Sequence, residues 1–545
     1  CRPGPARPTR RVPGMSRQAR ARGPSRTRRV LRVGGPALMG GVLGALSVPP
    51  FGFWPLAAPG IALLAWSVRG RAWRGRLLAG WAFGLGLYVI GLWWALSFNV
   101  YGGVVLMLVE ALAPGIAALL TARRAGQALA LPGGLVLAEA FRTHWPFGGL
   151  PLGSMALGQA KGPLLPADRL GGPLLLVGLA AVAGVALLFL VEALLGRWPA
   201  LASRLRLGPE GGRRPPRPSR ALAAGLAAVV VVVAVTLAGA LAPNGGPTTA
   251  RITVASVQGG GRRGTSALQV PPSTVFDAQV TATRLVPAVA RHRHLTLVLW
   301  PEDVVALGDE HLRGSPQEAV IAHFARQLHA SMVVGVTEDV GSTRFRNFAA
   351  AFSPTGRLLE EYEKVHRVPF GEYVPYRSFF AHVANLSEVP RNAIPGHGTG
   401  VLRIPGAVLG TTISFEVFFP ARARDPVRHG ADLLIVPTNT SSYRTSQVPT
   451  QEVAADQLQA VSEGRWLVQA APTGYSDVVT PTGRVVAKSV LGRRAVLVAS
   501  VGLRHGLTVF ARFGELPVLL VAGLAVLAGW ARALGLRRRS RPVQS

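Results

Sequence analysis

A chain of 545 residues that is 49% apolar and carries a formal net charge of +33 is too long for one core and too apolar to be wholly water-soluble. Its basic residues cluster between long apolar runs, a pattern of membrane topology rather than of nucleic-acid binding. The single cysteine, Cys1, excludes an internal disulfide framework and any cysteine-built metal centre, and no motif calls for a cofactor or a metal.

Residues 1–35 hold eleven arginines and no acid. Because an apolar run follows at once, they read as a basic cytoplasmic tail rather than as a nucleic-acid arm. Cys1 precedes the first methionine, Met15, with no apolar leader before it, so it is not expected to be a processed lipoprotein cysteine, and the start is expected to be placed too far upstream.

Eight apolar runs are then candidates to cross, or nearly cross, a hydrocarbon core of about 30 Å: 36–49, 54–68, 77–97, 103–121, 125–140, 172–196, 221–242 and 514–531. The first, second and fifth are short. Arginine-rich loops after the second, fourth and sixth runs alternate with uncharged connections, and the tail at 532–545 is basic again. The positive-inside rule then predicts a membrane helical bundle with both termini in the cytoplasm. On this reading 36–242 is a transmembrane domain of about seven helices, 514–531 a last helix, and 243–513 an extracytoplasmic domain. Gly208–Ser219, rich in Pro, Gly and Arg, is a cytoplasmic linker.

The segment 243–513 has no long apolar run and alternates two periodicities. Strands are expected at 251–258, 294–300, 331–337, 347–353, 408–415, 432–437, 466–471 and 495–501, and helices at 273–292, 315–330 and 450–464. Such alternation predicts an α/β layered sandwich.

Three places put polar groups at strand ends, where sheet proteins of this class build sites. In Leu295–Glu302 a strand is stopped by Pro301 with Glu302 just beyond; on position alone Glu302 fits a helix cap as well as a site group. The stretch Tyr362–Pro375, rich in Pro, Gly and aromatics, favours a rigid loop and carries Lys364, His366 and Glu372. The chain has three lysines (Lys161, Lys364, Lys488) against 56 arginines, which makes Lys364 conspicuous, although a surface lysine and a structural histidine fit the pattern too. Thr411–Phe419 reads as a buried strand holding Ser414 and Glu416. A nucleophile at a strand end, a glutamate base and a lysine facing an oxyanion would make an acyl-transfer set.

Trp300-Pro301-Glu302, Lys364 with His366 and Val368–Pro375, and Ile413-Ser414-Phe415-Glu416, in that order within this topology, resemble the nitrilase superfamily. Within it they resemble the apolipoprotein N-acyltransferases of bacterial envelopes. The resemblance covers nearly the whole chain and implies eight membrane helices with an extracytoplasmic αββα nitrilase-like domain between the last two. The loop Phe147–Gly153 is similar to a Phe-Pro-Trp-type loop of that family.

What the resemblance implies is transfer of a fatty acyl chain from a phospholipid, through an acyl-enzyme, to the α-amino group of a lipoprotein's diacylglyceryl cysteine. Carried over by position, Glu302 is the general base, Lys364 stabilises the oxyanion, and Glu372 supports them. The family has cysteine where Ser414 stands and usually tyrosine where Phe415 stands, while Glu416 keeps its place. Asn439 is likewise retained, in Thr438-Asn439-Thr440-Ser441-Ser442-Tyr443, where better-known members read Asn-Asp-x-Trp-Phe. A serine hydroxyl needs its proton removed, so either Glu302 is raised by burial or His366 helps. The implied partners are a phospholipid donor, an apolipoprotein acceptor and membrane lipids, with no nucleic acid. The alternative readings are a membrane nitrilase-like protein acting on another lipid or amide, and a catalytically silent relative that binds lipid or lipoprotein.

Overall fold

The computed structural model describes residues 26–122, 126–197, 218–291, 293–382, 386–387 and 389–539. Residues 1–25 of the basic tail, most of the Gly208–Ser219 linker and 540–545 lie outside the described residues.

The N-terminal half is built from α1 (Arg26–Ser47), α2 (Ala57–Val68), α3 (Trp73–Gly91), α4 (Val100–Glu110), α5 (Leu112–Leu120), α6 (Gln127–Arg142), α7 (Met155–Gly158), α8 (Asp168–Leu195) and α9 (Pro218–Leu241). Small residues set the packing. A Cβ at Gly41 of α1 or Gly86 of α3 would run into the facing helix backbone, so these helices touch without side chains between them.

Among the described residues four helical stretches are long and apolar enough to cross a membrane: Val100–Leu120, Leu165–Leu195, Pro218–Leu241 and Leu516–Gly535. The count of eight is therefore not supported. The runs at 54–68 and 125–140 give α2 and α6, of only 12 and 16 residues. The runs at 36–49 and 77–97 fold into α1 and α3, whose first turns carry arginines. An amphipathic or short helix can be held inside a bundle without spanning it, and apolar content alone does not separate the two cases.

From residue 250 to residue 513 the chain alternates strands and helices. The strands are β1 (Ala250–Gln258), β2 (Leu297–Leu299), β3 (Val305–Ala306), β4 (Ser331–Val340), β5 (Arg344–Phe352), β6 (Leu358–Glu363), β7 (Asn392–Ala393), β8 (Val401–Ile404), β9 (Ala407–Thr411), β10 (Leu433–Pro437), β11 (Leu467–Ala470), β12 (Asp477–Val479), β13 (Val485–Lys488) and β14 (Ala495–Leu503). The helices are α10 (Pro272–Thr283), α11 (Val286–Ala290), α12 (Pro316–Leu328), α13 (Arg377–Phe380), α14 (Pro420–Arg428), α15 (Gln447–Ser462), α16 (Val509–Phe513) and α17 (Leu516–Arg539).

One sheet runs β14-β1-β2-β4-β5-β6, with β3 and β7 at its margins; the other runs β13-β12-β11-β10-β9-β8. The β1-β2-β4 and β9-β10-β11 neighbours are parallel, so their carboxyl ends emerge together. One apolar layer lies between the sheets, through Val254, Leu299, Val333, Leu409 and Ile435. A second lies between the first sheet and α10 to α12. The third, on the outer face of the second sheet, is continuous with the bundle, because Phe418, Leu434 and Leu458 share one buried cluster with Leu87, Leu157 and Val177. This is an α/β/β/α sandwich whose second helical layer packs on the N-terminal helical bundle.

The predicted strands appear within a few residues, except that Thr411–Phe419 is not one strand. β9 stops at Thr411, and Ser414–Phe418 form a 3-10 turn. The predicted helix 273–292 is broken into α10 and α11.

Candidate active site

Glu302 follows β2 after Trp300 and Pro301, and Gly335 of β4 makes room for it. A Cβ there would strike the Glu302 backbone, and the Gly335 amide donates to the Pro301 carbonyl at 3.1 Å. Lys364 follows β6, whose antiparallel pairing with β5 swings it over the same sheet end. Its Nζ lies 2.8 Å from Glu302 Oε1 and 2.7 Å from Glu372 Oε1. Asn347 Nδ2, from β5, donates to the same two oxygens at 2.9 and 3.1 Å. The Val368 amide donates to Glu372 Oε2 at 2.8 Å, closing the loop on itself. Burial disfavours the Lys364 charge, but the two carboxylates outweigh it and hold its pKa above the ordinary lysine range.

Ser414 opens the 3-10 turn after β9 at φ +52°, a left-handed conformation that costs a residue with a Cβ on the order of 1–3 kcal/mol. Glu416, fully buried, ties this turn to the lysine loop. Its Oε2 accepts from the Ile413 amide at 2.8 Å, and its Oε1 from the Val365 and His366 amides at 2.8 and 2.9 Å. Tyr362 Oη donates to both oxygens. One carboxylate thus bridges the immediate neighbours of Ser414 and of Lys364, and its acceptor sites are filled by structure. Burial raises its pKa while these donors pull the other way.

His366 stacks on Phe419, with ring centroids 3.6 Å apart. Burial first, then the charges of Arg422 and Lys364, push its pKa down to about 4, which leaves a neutral ring at pH 7. Asn439 is not brought into this cluster. It sits in the loop after β10, where its side chain accepts from the Ser441 amide at 3.1 Å as a turn former.

Glu452 and Asn347 escape sequence reasoning because nothing in the local pattern of α15 or β5 marks them. Glu452 is 1% exposed and accepts a hydrogen bond from Thr438 Oγ1. Burial, with the Glu302 and Asp477 charges adding to it, raises its pKa to about 8. The folded state therefore holds a proton that the unfolded chain releases near pH 4.5. Its contribution to stability falls as pH rises from about 4.5 to about 8, by at most about 1.4 kcal/mol per pH unit. Asp477, raised to about 8 as well, acts in the same window. Thermal denaturation of Glu452→Gln between pH 5 and 8 is expected to show a shallower decline of Tm with pH than the native chain; an unchanged slope would contradict the protonated state.

A glutamate, a lysine and a second glutamate at the open end of one sheet, with a serine in a strained turn at the end of a strand of the facing sheet, define a carbon–nitrogen-hydrolase-type domain set on a helical bundle. Two family models match the two parts of the chain. Residues 253–505 match the family model described as carbon-nitrogen hydrolase, and residues 40–188 that of the apolipoprotein N-acyltransferase N-terminal domain. The chain is 33% identical over 514 residues to an apolipoprotein N-acyltransferase of Mycolicibacterium smegmatis, covering 90% of this chain and 84% of that one. It is 29% identical over 525 residues to an apolipoprotein N-acyltransferase of Pseudomonas putida, covering 92% and 96%. Among solved structures, Nit3 of Saccharomyces cerevisiae, a member of branch 10 of the nitrilase superfamily, aligns at 20% identity with a TM-score of 0.36, over 47% of this chain and 91% of that one. The chain belongs to the apolipoprotein N-acyltransferase family.

Proposed function

We propose that this protein N-acylates the diacylglyceryl cysteine of bacterial apolipoproteins with a fatty acyl chain taken from a phospholipid, and that Ser414 carries the chain between the two. The observation that supports this most is the buried Glu302–Lys364–Glu372 cluster, joined through Glu416 to the turn of Ser414. A buried lysine between two carboxylates is costly to assemble.

In the first half-reaction Glu302 takes the proton of Ser414 Oγ as the oxygen attacks the donor ester carbonyl, and the Lys364 ammonium faces the developing oxyanion. Collapse expels the lysophospholipid alkoxide, which takes the proton from Glu302 and leaves an oxygen ester on Ser414. In the second half-reaction the acceptor amine attacks that ester, Glu302 accepts the amine proton, and Ser414 leaves with a proton returned by Glu302. Glu372 and Glu416 hold the loops, His366 supports them as a neutral ring, and Asn439 shapes the loop after β10.

The donor comes from the bilayer and the acceptor is a membrane-tethered lipoprotein, so the domain belongs beside a membrane surface. In this reading α9 and α17 cross the membrane, and their arginine-flanked ends, near Arg220 and Arg537, are cytoplasmic. That puts the nitrilase-like domain, 243–513, outside the plasma membrane, between the bundle at 36–242 and the last helix at 514–531.

The test is mass spectrometry of lipoprotein N-terminal peptides from a host lacking its own N-acyltransferase and supplied with this chain. A third acyl chain on the terminal cysteine is the expected result. Lipoproteins left diacylated, with the chain present in the membrane, would refute the reading.

A further inference from the structure

Arg142 closes α6 with its side chain only 2% exposed, inside the helical half of the molecule. Its guanidinium makes a two-point pair with Glu139, at 3.0 and 2.7 Å, and reaches Glu110 at 3.2 Å. The Tyr88 ring lies under it, 5.0 Å away. A stabilising ion pair would need no more than this.

The same guanidinium also donates to three successive carbonyls of the following loop: Leu150, Pro151 at 3.4 Å and Leu152 at 3.0 Å. Only a planar fork with five donors can serve two carboxylates and a run of carbonyls at once. This loop is the Phe147–Gly153 motif, and its other side rests on the catalytic domain. The Phe147 carbonyl accepts from Tyr373 Oη at 3.0 Å. A Cβ on Gly148 would come within 3.0 Å of His366 Nε2. The Gly153 amide donates to Gln451 Oε1 of α15 at 2.9 Å.

Between Arg142 and Lys364 there are thus one loop and two residues, His366 and Val365. We propose that Arg142 is a positioning residue for the acyl-transfer site: it fixes the backbone of Phe147–Gly153, and through that loop the placement of the Lys364–Tyr373 segment and of α15. The inference rests on the functional reading above, but the loop geometry can be measured without it.

The experiment uses the full chain in phospholipid nanodiscs and compares it with two variants. Arg142→Lys keeps the charge but not the fork. Glu110→Gln/Glu139→Gln/Arg142→Met removes all three charges together, so that no buried ion is left alone. Amide exchange is read over 147–153 and 365–373, alongside kcat and KM for the donor phospholipid and the melting temperature.

A positioning role predicts exchange over both segments faster by about tenfold and kcat lower by about tenfold to a hundredfold, with KM little changed, in whichever variants fold. A lowered melting temperature with native exchange over both segments, or with native kcat per folded molecule, would overturn it. If the native chain transfers no acyl group, the functional reading fails; faster exchange in the variants would still uphold the strut, and unchanged exchange would overturn it.

Discussion

Ser414→Ala is expected to abolish the third acyl chain on lipoproteins, with turnover falling by about 10³-fold or more. Intact mass of the native chain, incubated with phospholipid and no acceptor, should show one added acyl group, absent from the alanine variant. Alanine removes the nucleophile and leaves the bonds that close the turn, from the Ile413 amide to the Glu416 carboxylate and from the Glu416 amide to the Ile413 carbonyl, neither of which uses the hydroxyl. Ser414→Cys supplies a thiol with an ordinary pKa of about 8.5 and intrinsically greater nucleophilicity, so it is expected to form the adduct at least as fast. Its adduct is a thioester, which neutral hydroxylamine cleaves, whereas the native oxygen ester resists. If the alanine variant still takes up an acyl group, Ser414 is not the nucleophile. Activity confined to the cysteine variant would mean a scaffold that is intact but silent as it stands.

Lys364→Met should remove both activity and a large part of the stability. The ammonium is 2% exposed and lies 2.8 and 2.7 Å from two carboxylates, so its loss strands two negative charges in a poorly solvated place. Breaking a buried pair this way costs about 3–5 kcal/mol. The triple variant Lys364→Met/Glu302→Gln/Glu372→Gln, with no charge left to strand, is expected to recover most of that stability and none of the turnover. Lys364→Arg should not rescue, since a planar fork cannot occupy the site of a compact ammonium. Denaturant unfolding and acyl transfer, measured on the same preparations, separate the two roles. Turnover per folded molecule that survives in Lys364→Met would make the lysine purely structural, and an unchanged unfolding midpoint would contradict the buried ion cluster.

The two halves differ in how much of them could be read along the chain. Buried strands such as Leu433–Pro437 announce themselves as apolar runs between turn residues, because their neighbours on both faces are apolar. β6, β8, β12 and β13 carry no such signal. They are short or half-polar, and each is a strand only because a neighbour pairs with it. The turn at Ser414 has a strand-like pattern for the opposite reason: its residues are all buried, but by the packed bundle and by the Glu416 bonds rather than by a ladder. In the helical half, apolar content located the helices but not which of them are long enough to span.

The sequence by itself determined the elements whose signal is local: the apolar runs, the alternating strand periods, and the motifs that place Glu302, Lys364, Glu372, Ser414 and Glu416 at element ends. The tertiary structure alone decided what those residues meet. Hydrogen bonds and ion pairs need atoms within about 3 Å. Chain positions 302, 347, 364 and 372 reach that distance only after β2, β5 and β6 take their places in one sheet. The same holds for Arg142, whose partner Glu110 comes from an earlier helix, and for Glu452, which meets the charge of Glu302 only in the folded domain.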